Sequence, residues 1–268
     1  MTTNRRALMA LFAGGLLVPG RVRAAAAGDT DRWPDLARLI FPGEVLRDGA
    51  SVVEIDAPYR AEDAAVVPVT LRTTLDARTP LQVRKITLVI DANPVPVAAT
   101  FTLGPEAGID RIATRVRVDD YTNIHAVAEL SDGALYAASR FVKAAGGCSA
   151  PALKQTAGDI PLGTLRFRGF PANDTGLREA QVMVRHPNYS GMQMDQISRL
   201  YIPADFVQSL RIHQADRLLL TIEGGISVSE NPSFRFSFRP GEGKTFRVEA
   251  ADSQGRQFST TFPAEPAA

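Results

Sequence analysis

The sequence predicts an all-β protein of two immunoglobulin-like β-sandwich domains, joined by a Gly/Ala/Pro linker and preceded by one short helix. Apolar residues alternate with polar ones through short segments that are separated by Asp, Gly and Pro turns, as in half-buried antiparallel strands. The alternation stops between Lys143 and Ile160 and then resumes. The chain has 268 residues, 45% hydrophobic and 22% charged, which is a globular composition with room for two ordinary domains.

The first half reads as a helix followed by strands. Trp33, Leu36 and Ile40 fall on one face of a helix that Pro42-Gly43 ends. A hairpin is predicted around Ser131-Asp132-Gly133. The alternating apolar residues before it are Val53 and Ile55; Val67, Val69 and Leu71; Ile86, Leu88 and Ile90; Val97, Ala99, Phe101 and Leu103; and Ile112, Val116 and Val118.

The second half repeats this pattern over about 100 residues, the usual size of an immunoglobulin-like module. Its most regular strand carries Phe234, Phe236 and Phe238 on one face, and these rings are predicted to lie in the core. The other alternating residues are Leu165 and Phe167; Val182 and Val184; Leu210 and Ile212; Leu218, Leu220 and Ile222; and Phe246 and Val248.

Residues 1–27 have the features of an export signal. Arg5 and Arg6 form a basic head, the apolar run from Ala7 to Val18 is too short to span a bilayer, and small residues at 24–27 suit cleavage. The paired arginines allow the twin-arginine route, and an ordinary Sec signal fits equally well. We therefore expect a periplasmic protein, and we expect no membrane span because no second apolar stretch is long enough.

Cys148 is the only cysteine, so the chain forms no internal disulfide, although a homo-oligomer linked through Cys148 stays open. Gly146 and Gly147 precede it and Ser149 follows it, within a segment that lacks apolar periodicity. The expected organisation is a first sandwich at 28–145, a cysteine-bearing arm at 146–160 and a second sandwich at 161–268. Because glycine gives the backbone freedom, we expect an exposed, mobile thiol, and an incidental linker cysteine is the alternative.

Other chemistry finds little support. The three histidines, His125, His186 and His213, lie on no catalytic motif and show no metal-ligand spacing with Cys148, so the sequence predicts no cofactor, no metal site and no enzyme activity. His186 is expected at a corner between a strand and a loop. The formal net charge of +1 gives no electrostatic argument for nucleic-acid binding.

The segment from Lys143 to Cys148 resembles the C-terminal swinging arm of SoxY, the carrier subunit of the periplasmic sulfur-oxidation system. The second half resembles SoxZ, its immunoglobulin-like partner. The segments that carry this second resemblance are Val182-Met183-Val184-Arg185-His186-Pro187, Ile202-Pro203-Ala204 and Ser229-Glu230-Asn231-Pro232. The order of the two halves is similar to that in fused SoxYZ-like carriers associated with quinoprotein alcohol dehydrogenases.

The resemblance implies that Cys148 is the attachment site of a carried sulfur group, with Gly146, Gly147 and Ser149 as the arm. The implied partners are periplasmic redox or sulfur-oxidation enzymes, including a quinoprotein dehydrogenase system. The SoxY arm ends its chain, whereas here the cysteine is tethered at both ends and enters a cleft only as a loop. The alternatives are a non-catalytic adaptor or chaperone for a periplasmic quinoprotein dehydrogenase, in which Cys148 is not essential, and a thiol enzyme, which requires a histidine beside Cys148.

Overall fold

Short alternating segments become strands because each buries one row of side chains. In a computed structural model, residues 31–75, 79–151, 160–173 and 176–264 are described, and they form one helix and fifteen strands. The predicted signal at 1–27 lies outside these residues. The elements are α1 (Trp33–Ile40), β1 (Leu46–Asp48), β2 (Val53–Asp56), β3 (Val67–Thr73), β4 (Val83–Ile90), β5 (Val97–Leu103), β6 (Arg111–Val116), β7 (Thr122–Leu130), β8 (Leu135–Val142), β9 (Leu165–Ala172), β10 (Arg178–Val184), β11 (Val207–Gln214), β12 (Arg217–Gly224), β13 (Ser233–Phe238), β14 (Thr245–Asp252) and β15 (Gln257–Pro263).

The strands form two sheets that pack around one apolar core. The larger sheet has nine strands in the order β1-β8-β7-β4-β5-β12-β11-β14-β15, and the smaller has six in the order β2-β3-β6-β13-β10-β9. Neighbouring strands are antiparallel except β1 and β8, which run parallel. The all-β sandwich prediction is confirmed, as are the strands inferred from alternation and the single short helix.

Both sheets run through both halves of the chain, which alternation alone does not predict. In the larger sheet β5 of the first half pairs with β12 of the second, from Leu103 opposite Leu220 to Ala99 opposite Gly224. In the smaller sheet β6 pairs with β13, where Phe236 lies opposite Ile112. We call these two strand pairs the seam. Their backbone hydrogen bonds join the two sandwiches edge to edge, so both sheets continue from one half of the chain into the other.

The helix α1 contacts the larger sheet through an aromatic pair. The ring of Trp33 stacks on that of His125 in β7, with centroids 3.7 Å apart. His125 Nε2 lies 3.0 Å from Asp91 Oδ2, and both residues are buried. As predicted, the helix ends before Gly43, whose φ of +79° suits glycine. No helix among the described residues has the length and apolar character needed to cross a membrane.

Candidate functional site

The segment around Cys148 follows β8 in the chain. It packs against Val118 and Asp119, which lie just after β6. Gly146 N–H donates to the carbonyl of Asp119 at 2.8 Å, and Gly147 N–H donates to the carbonyl of Val118 at 3.0 Å. Cys148 N–H donates to Asp119 Oδ1 at 3.2 Å. Three consecutive backbone donors are therefore satisfied by two residues of the first half, which holds this segment in one conformation.

The two glycines serve close packing here. Gly146 has a φ of +76°, in the left-handed region where a side chain is strained. A Cβ at Gly147 would lie 2.1 Å from the carbonyl oxygen of Ala64 and 2.6 Å from that of Val118. Gly147 is thus required because two backbones pass close to it. Ser149 closes the turn, since its hydroxyl donates to the carbonyl of Gly146 at 3.3 Å.

The second half contributes two side chains from the loop between β10 and β11. The hydroxyl of Ser190 donates to the carbonyl of Cys148, and Gln193 Nε2 donates to the carbonyl of Ala150 at 3.0 Å. Gln193 Oε1 also accepts from Ser190 N–H at 3.3 Å, so the two residues form one unit. The segment 146–151, which we call the arm segment, is therefore bonded to both halves of the protein.

The thiol of Cys148 is fully buried, and the prediction of an exposed, mobile arm is wrong for this conformation. The composition of the segment indicated freedom, but its glycines are in contact with backbone and its polar groups are satisfied. Burial raises the pKa of the thiol to about 12; the charge of Asp119 acts in the same direction, and Arg117 opposes both. Below that pH the closed cysteine is protonated and a poor nucleophile.

Two charged side chains act on the buried thiol, since Asp119 and Arg117 both shift its pKa. Arg117, also buried, donates through Nη1 to the carbonyl of Val228 and, at 3.3 Å, to that of Ile226. Burial lowers the pKa of Arg117, while Cys148 and Glu230 raise it. The thiol therefore sits beside a buried cation whose bonds reach into the second half.

Two asparagines fix the backbone on either side of this site. Asn93 donates to the carbonyl of Arg117 at 2.8 Å and accepts from Asp119 N–H at 2.9 Å. Asn188 donates to the carbonyl of Val228 at 2.8 Å and accepts from Val207 N–H at 2.9 Å. Sequence reasoning missed both residues, together with Arg117, Asp119, Ser190 and Gln193. Their partners are distant in the chain, so no local pattern indicates them.

A small cavity lies next to the arm segment at the boundary of the two halves. Its volume is about 200 Å³, and Ala150, Pro151, Arg115, Arg117 and Gln193 are among the residues that line it. Asp63 and Glu230 line it as well, so cationic and anionic side chains are balanced there. This balance gives no preference for a charged ligand.

His186 follows β10 at the predicted corner, and it is fully buried. Its Nε2 lies 3.5 Å from both Asp205 Oδ1 and Asp252 Oδ2, and the three residues present metal-ligating atoms within 4.8 Å of one another. However, Nδ1 accepts from Asn188 N–H at 3.0 Å, which puts the proton of a neutral ring on Nε2. Arg256 also pairs with both carboxylates. The group is better described as an ion-pair network than as a metal centre.

The histidine that a thiol enzyme requires is not beside the cysteine. His186 faces Asp205 and Asp252, His125 faces Asp91, and His213 lies in β11. None of the hydrogen bonds described for the three rings reaches Cys148. The ionisable side chain that hydrogen-bonds the thiol is instead the carboxylate of Asp119, which raises the pKa of the thiol.

Two family models match the chain in succession. One, described as sulfur oxidation protein SoxY, matches residues 38–148, and the other, described as sulphur oxidation protein SoxZ, matches residues 170–263. The chain is a fusion of a SoxY domain and a SoxZ domain. The SoxY match ends at Cys148 itself, and the seam is where the SoxY and SoxZ domains share their sheets.

The solved structures similar to this SoxY–SoxZ chain include a sulfur carrier. The sulfur carrier protein SoxY from Chlorobium limicola f thiosulfatophilum is 27% identical, with a TM-score of 0.36, and the match covers 42% of this chain and 91% of that one. A superoxide reductase (neelaredoxin) from Ignicoccus hospitalis is 13% identical, with a TM-score of 0.31 and coverage of 34% and 79%. A putative superoxide reductase from Thermotoga maritima is 16% identical, with a TM-score of 0.31 and coverage of 37% and 92%. No curated protein matches the sequence.

Proposed function

We propose that the protein is a carrier that holds a small sulfur-containing group on Cys148 and presents it to enzymes of sulfur oxidation. One observation carries this proposal: the SoxY match ends at the single cysteine of the chain, and a SoxZ domain follows in the same polypeptide. Gly146, Gly147 and Ser149 would form the arm that brings the loaded cysteine out.

The chemistry of the site supports a carrier that does not itself catalyse. The closed thiol is protonated at neutral pH and has no histidine to accept its proton, so the closed state lacks an activated nucleophile. A partner enzyme would therefore supply the groups that make and break the bond to sulfur. The protein would supply only the attachment point and its protection.

The location and the partners belong to the same proposal. The basic head at Arg5-Arg6 and the short apolar run after it support export to the periplasm by the twin-arginine or the Sec route. The partners would be periplasmic sulfur-oxidation or redox enzymes, and a quinoprotein dehydrogenase system is the finer hypothesis. A homo-oligomer linked through Cys148 stays a prediction, and it would also need the thiol to leave the interior.

The test is intact-protein mass spectrometry of protein isolated from its own periplasm, from cells oxidising a reduced sulfur compound. We expect an added mass that maps to Cys148 and that a thiol reductant removes. The Cys148→Ser variant, isolated in parallel, should carry no such mass. An unmodified thiol in cells that are actively oxidising sulfur would refute the carrier role.

The burial of Cys148 favours a second candidate, a non-catalytic adaptor for a periplasmic quinoprotein dehydrogenase. In that case the cysteine only fills space in the interior, and the surfaces of the two domains bind the dehydrogenase. Cys148→Ser would then leave growth and sulfur oxidation unchanged. In the carrier case the same variant abolishes sulfur oxidation while the fold, measured by circular dichroism, is retained.

A further inference from the structure

We propose that Ser190 and Gln193 are positioning residues that hold the arm segment closed, and that Cys148 reacts only from an open state in which these two contacts are broken. We call the two side chains and their bonds to the arm segment the latch. The inference rests on the proposed carrier function for its purpose, because a carried group has to leave the interior to meet an enzyme.

The latch is specific in its geometry. Ser190 and Gln193 donate hydrogen bonds to two carbonyls of the arm segment, those of Cys148 and Ala150. The two side chains are also linked to each other, because Ser190 N–H donates to Gln193 Oε1. Both come from the SoxZ domain, whereas the backbone N–H groups of residues 146–148 bond to the SoxY domain at Val118 and Asp119. Releasing the latch would free the carboxyl-terminal side of the cysteine while the chain before Gly146 stays in place.

The closed state leaves no access to the sulfur. The side chain of Cys148 is fully buried, and Gly147 beside it has no room for even one added carbon atom. Loading and unloading therefore require the arm segment to move.

Opening changes the environment of the thiol in a way that kinetics can detect. The charged groups facing it are Asp119 and Arg117, both from the SoxY domain, while the latch residues carry no charge. In the open state the thiol is exposed to solvent and no longer faces Asp119. Its pKa therefore falls from about 12 toward the ordinary value of about 8.5. Above that ordinary value, each rise in pH draws the equilibrium toward the open thiolate.

The experiment measures the rate of alkylation of Cys148 by iodoacetamide in the purified protein from about pH 6 to about pH 11. For a latched thiol the rate keeps rising past the ordinary thiol pKa, because open thiolate accumulates at the expense of closed thiol. For a freely exposed thiol the rate levels off above about pH 8.5, where the thiol is already ionised. We expect the first profile, with an apparent pKa well above the ordinary one.

The variants identify the residues responsible. Ser190→Ala and Gln193→Ala should each raise the rate at pH 7 by about threefold to tenfold, the effect of losing one typical hydrogen bond. The double variant should exceed either and shift the apparent pKa toward the ordinary value. Ser198→Ala is the matched control, since the Ser198 hydroxyl lies on the same loop and donates to Asp195 instead. Ser190→Thr, which keeps the hydroxyl, should restore the slow rate.

Gly147→Ala opens the arm segment by a different route, because its Cβ cannot coexist with the closed backbone. Gly147→Ala should raise the alkylation rate of Cys148 while Ser190 and Gln193 are unchanged. It therefore tests the opening of the arm segment with a second, independent substitution. Circular dichroism of every variant confirms folding. A wild-type profile that levels off near the ordinary pKa, or folded latch variants that react like wild type, would overturn the latch. Adducts found on Cys148 in cells would leave the carrier role standing in that event, whereas a working latch without adducts would count against the carrier role alone.

Discussion

At the residue scale, His186, Asp205, Asp252 and Arg256 show how a guanidinium stabilises a buried carboxylate. Burial raises the pKa of Asp252, yet the hydrogen bonds from Arg256 outweigh it and leave the pKa below its ordinary value. Burial lowers the pKa of His186, against the pull of both carboxylates. The guanidinium therefore supplies the positive charge of the network and the imidazole stays neutral at pH 7.

Removing Arg256 should destabilise the protein by leaving the buried carboxylate of Asp252 without its partner. We expect Arg256→Gln to lower the free energy of unfolding by about 2 kcal/mol at pH 7, below the full cost of breaking a buried pair because Arg256 is partly exposed. Urea denaturation followed by circular dichroism measures this. Arg247→Gln breaks the exposed pair with Glu249 and should cost less than about 1 kcal/mol. Equal losses in both variants would show that the network is not stabilising.

The same network contributes to the loss of stability in acid. Because the folded pKa of Asp252 lies below its unfolded value, its contribution is present above about pH 4 and is lost as the pH falls through the folded pKa. His186 acts in the same direction, since the unfolded chain takes up its proton first as the pH falls below about 6.5. Wild type should therefore lose stability from about pH 6.5 downward, and Arg256→Gln should lose less between about pH 4 and pH 3 than wild type does.

At the element scale, the sequence predicts strands well and their neighbours poorly. Val67, Val69 and Leu71 are buried in β3, as their spacing of two requires, because side chains of a strand point alternately to its two faces. The pairing of β5 with β12 joins residues more than 100 positions apart, and each strand alone is compatible with many partners. The environment of Cys148 escaped prediction for the same reason, since Ser190 and Gln193 lie beyond any local pattern.

Gly104, the residue directly after β5, offers a test of the seam. A Cβ there would lie 2.0 Å from the carbonyl oxygen of Leu218, just before β12 pairs with β5. We expect Gly104→Ala to cost about 3 kcal/mol of unfolding free energy because backbone has to move. Gly133→Ala, in the β7–β8 hairpin, meets nothing within 4 Å and should cost only about 1 kcal/mol from its positive φ. Denaturant titrations measure the free energy of unfolding of both variants. A Gly104→Ala variant as stable as Gly133→Ala would contradict the seam.

At the scale of the whole molecule, paired strands and packed side chains join the two halves in addition to the covalent link. The seam continues both sheets, and the ring of Phe101 in β5 packs edge-on against that of Phe234 in β13, with centroids 6.2 Å apart. In the smaller sheet, Glu179 of β10 binds both Arg111 of β6 and Arg235 of β13. The SoxY and SoxZ domains thus share one core and one set of hydrogen-bonded sheets. The linker raises the effective concentration of each domain for the other.

Cutting the linker should therefore leave the two halves together. With a protease site inserted within residues 152–159, complete cleavage should give two fragments that co-elute as one particle in size-exclusion chromatography at micromolar concentration, because the seam and the shared core persist. The uncut protein is the reference for elution volume. The latch lies across the same boundary, so alkylation of Cys148 in the cut particle should stay as slow as in the uncut protein. Fragments that separate, or a cysteine that becomes reactive on cleavage alone, would mean that the linker holds the halves and closes the arm segment.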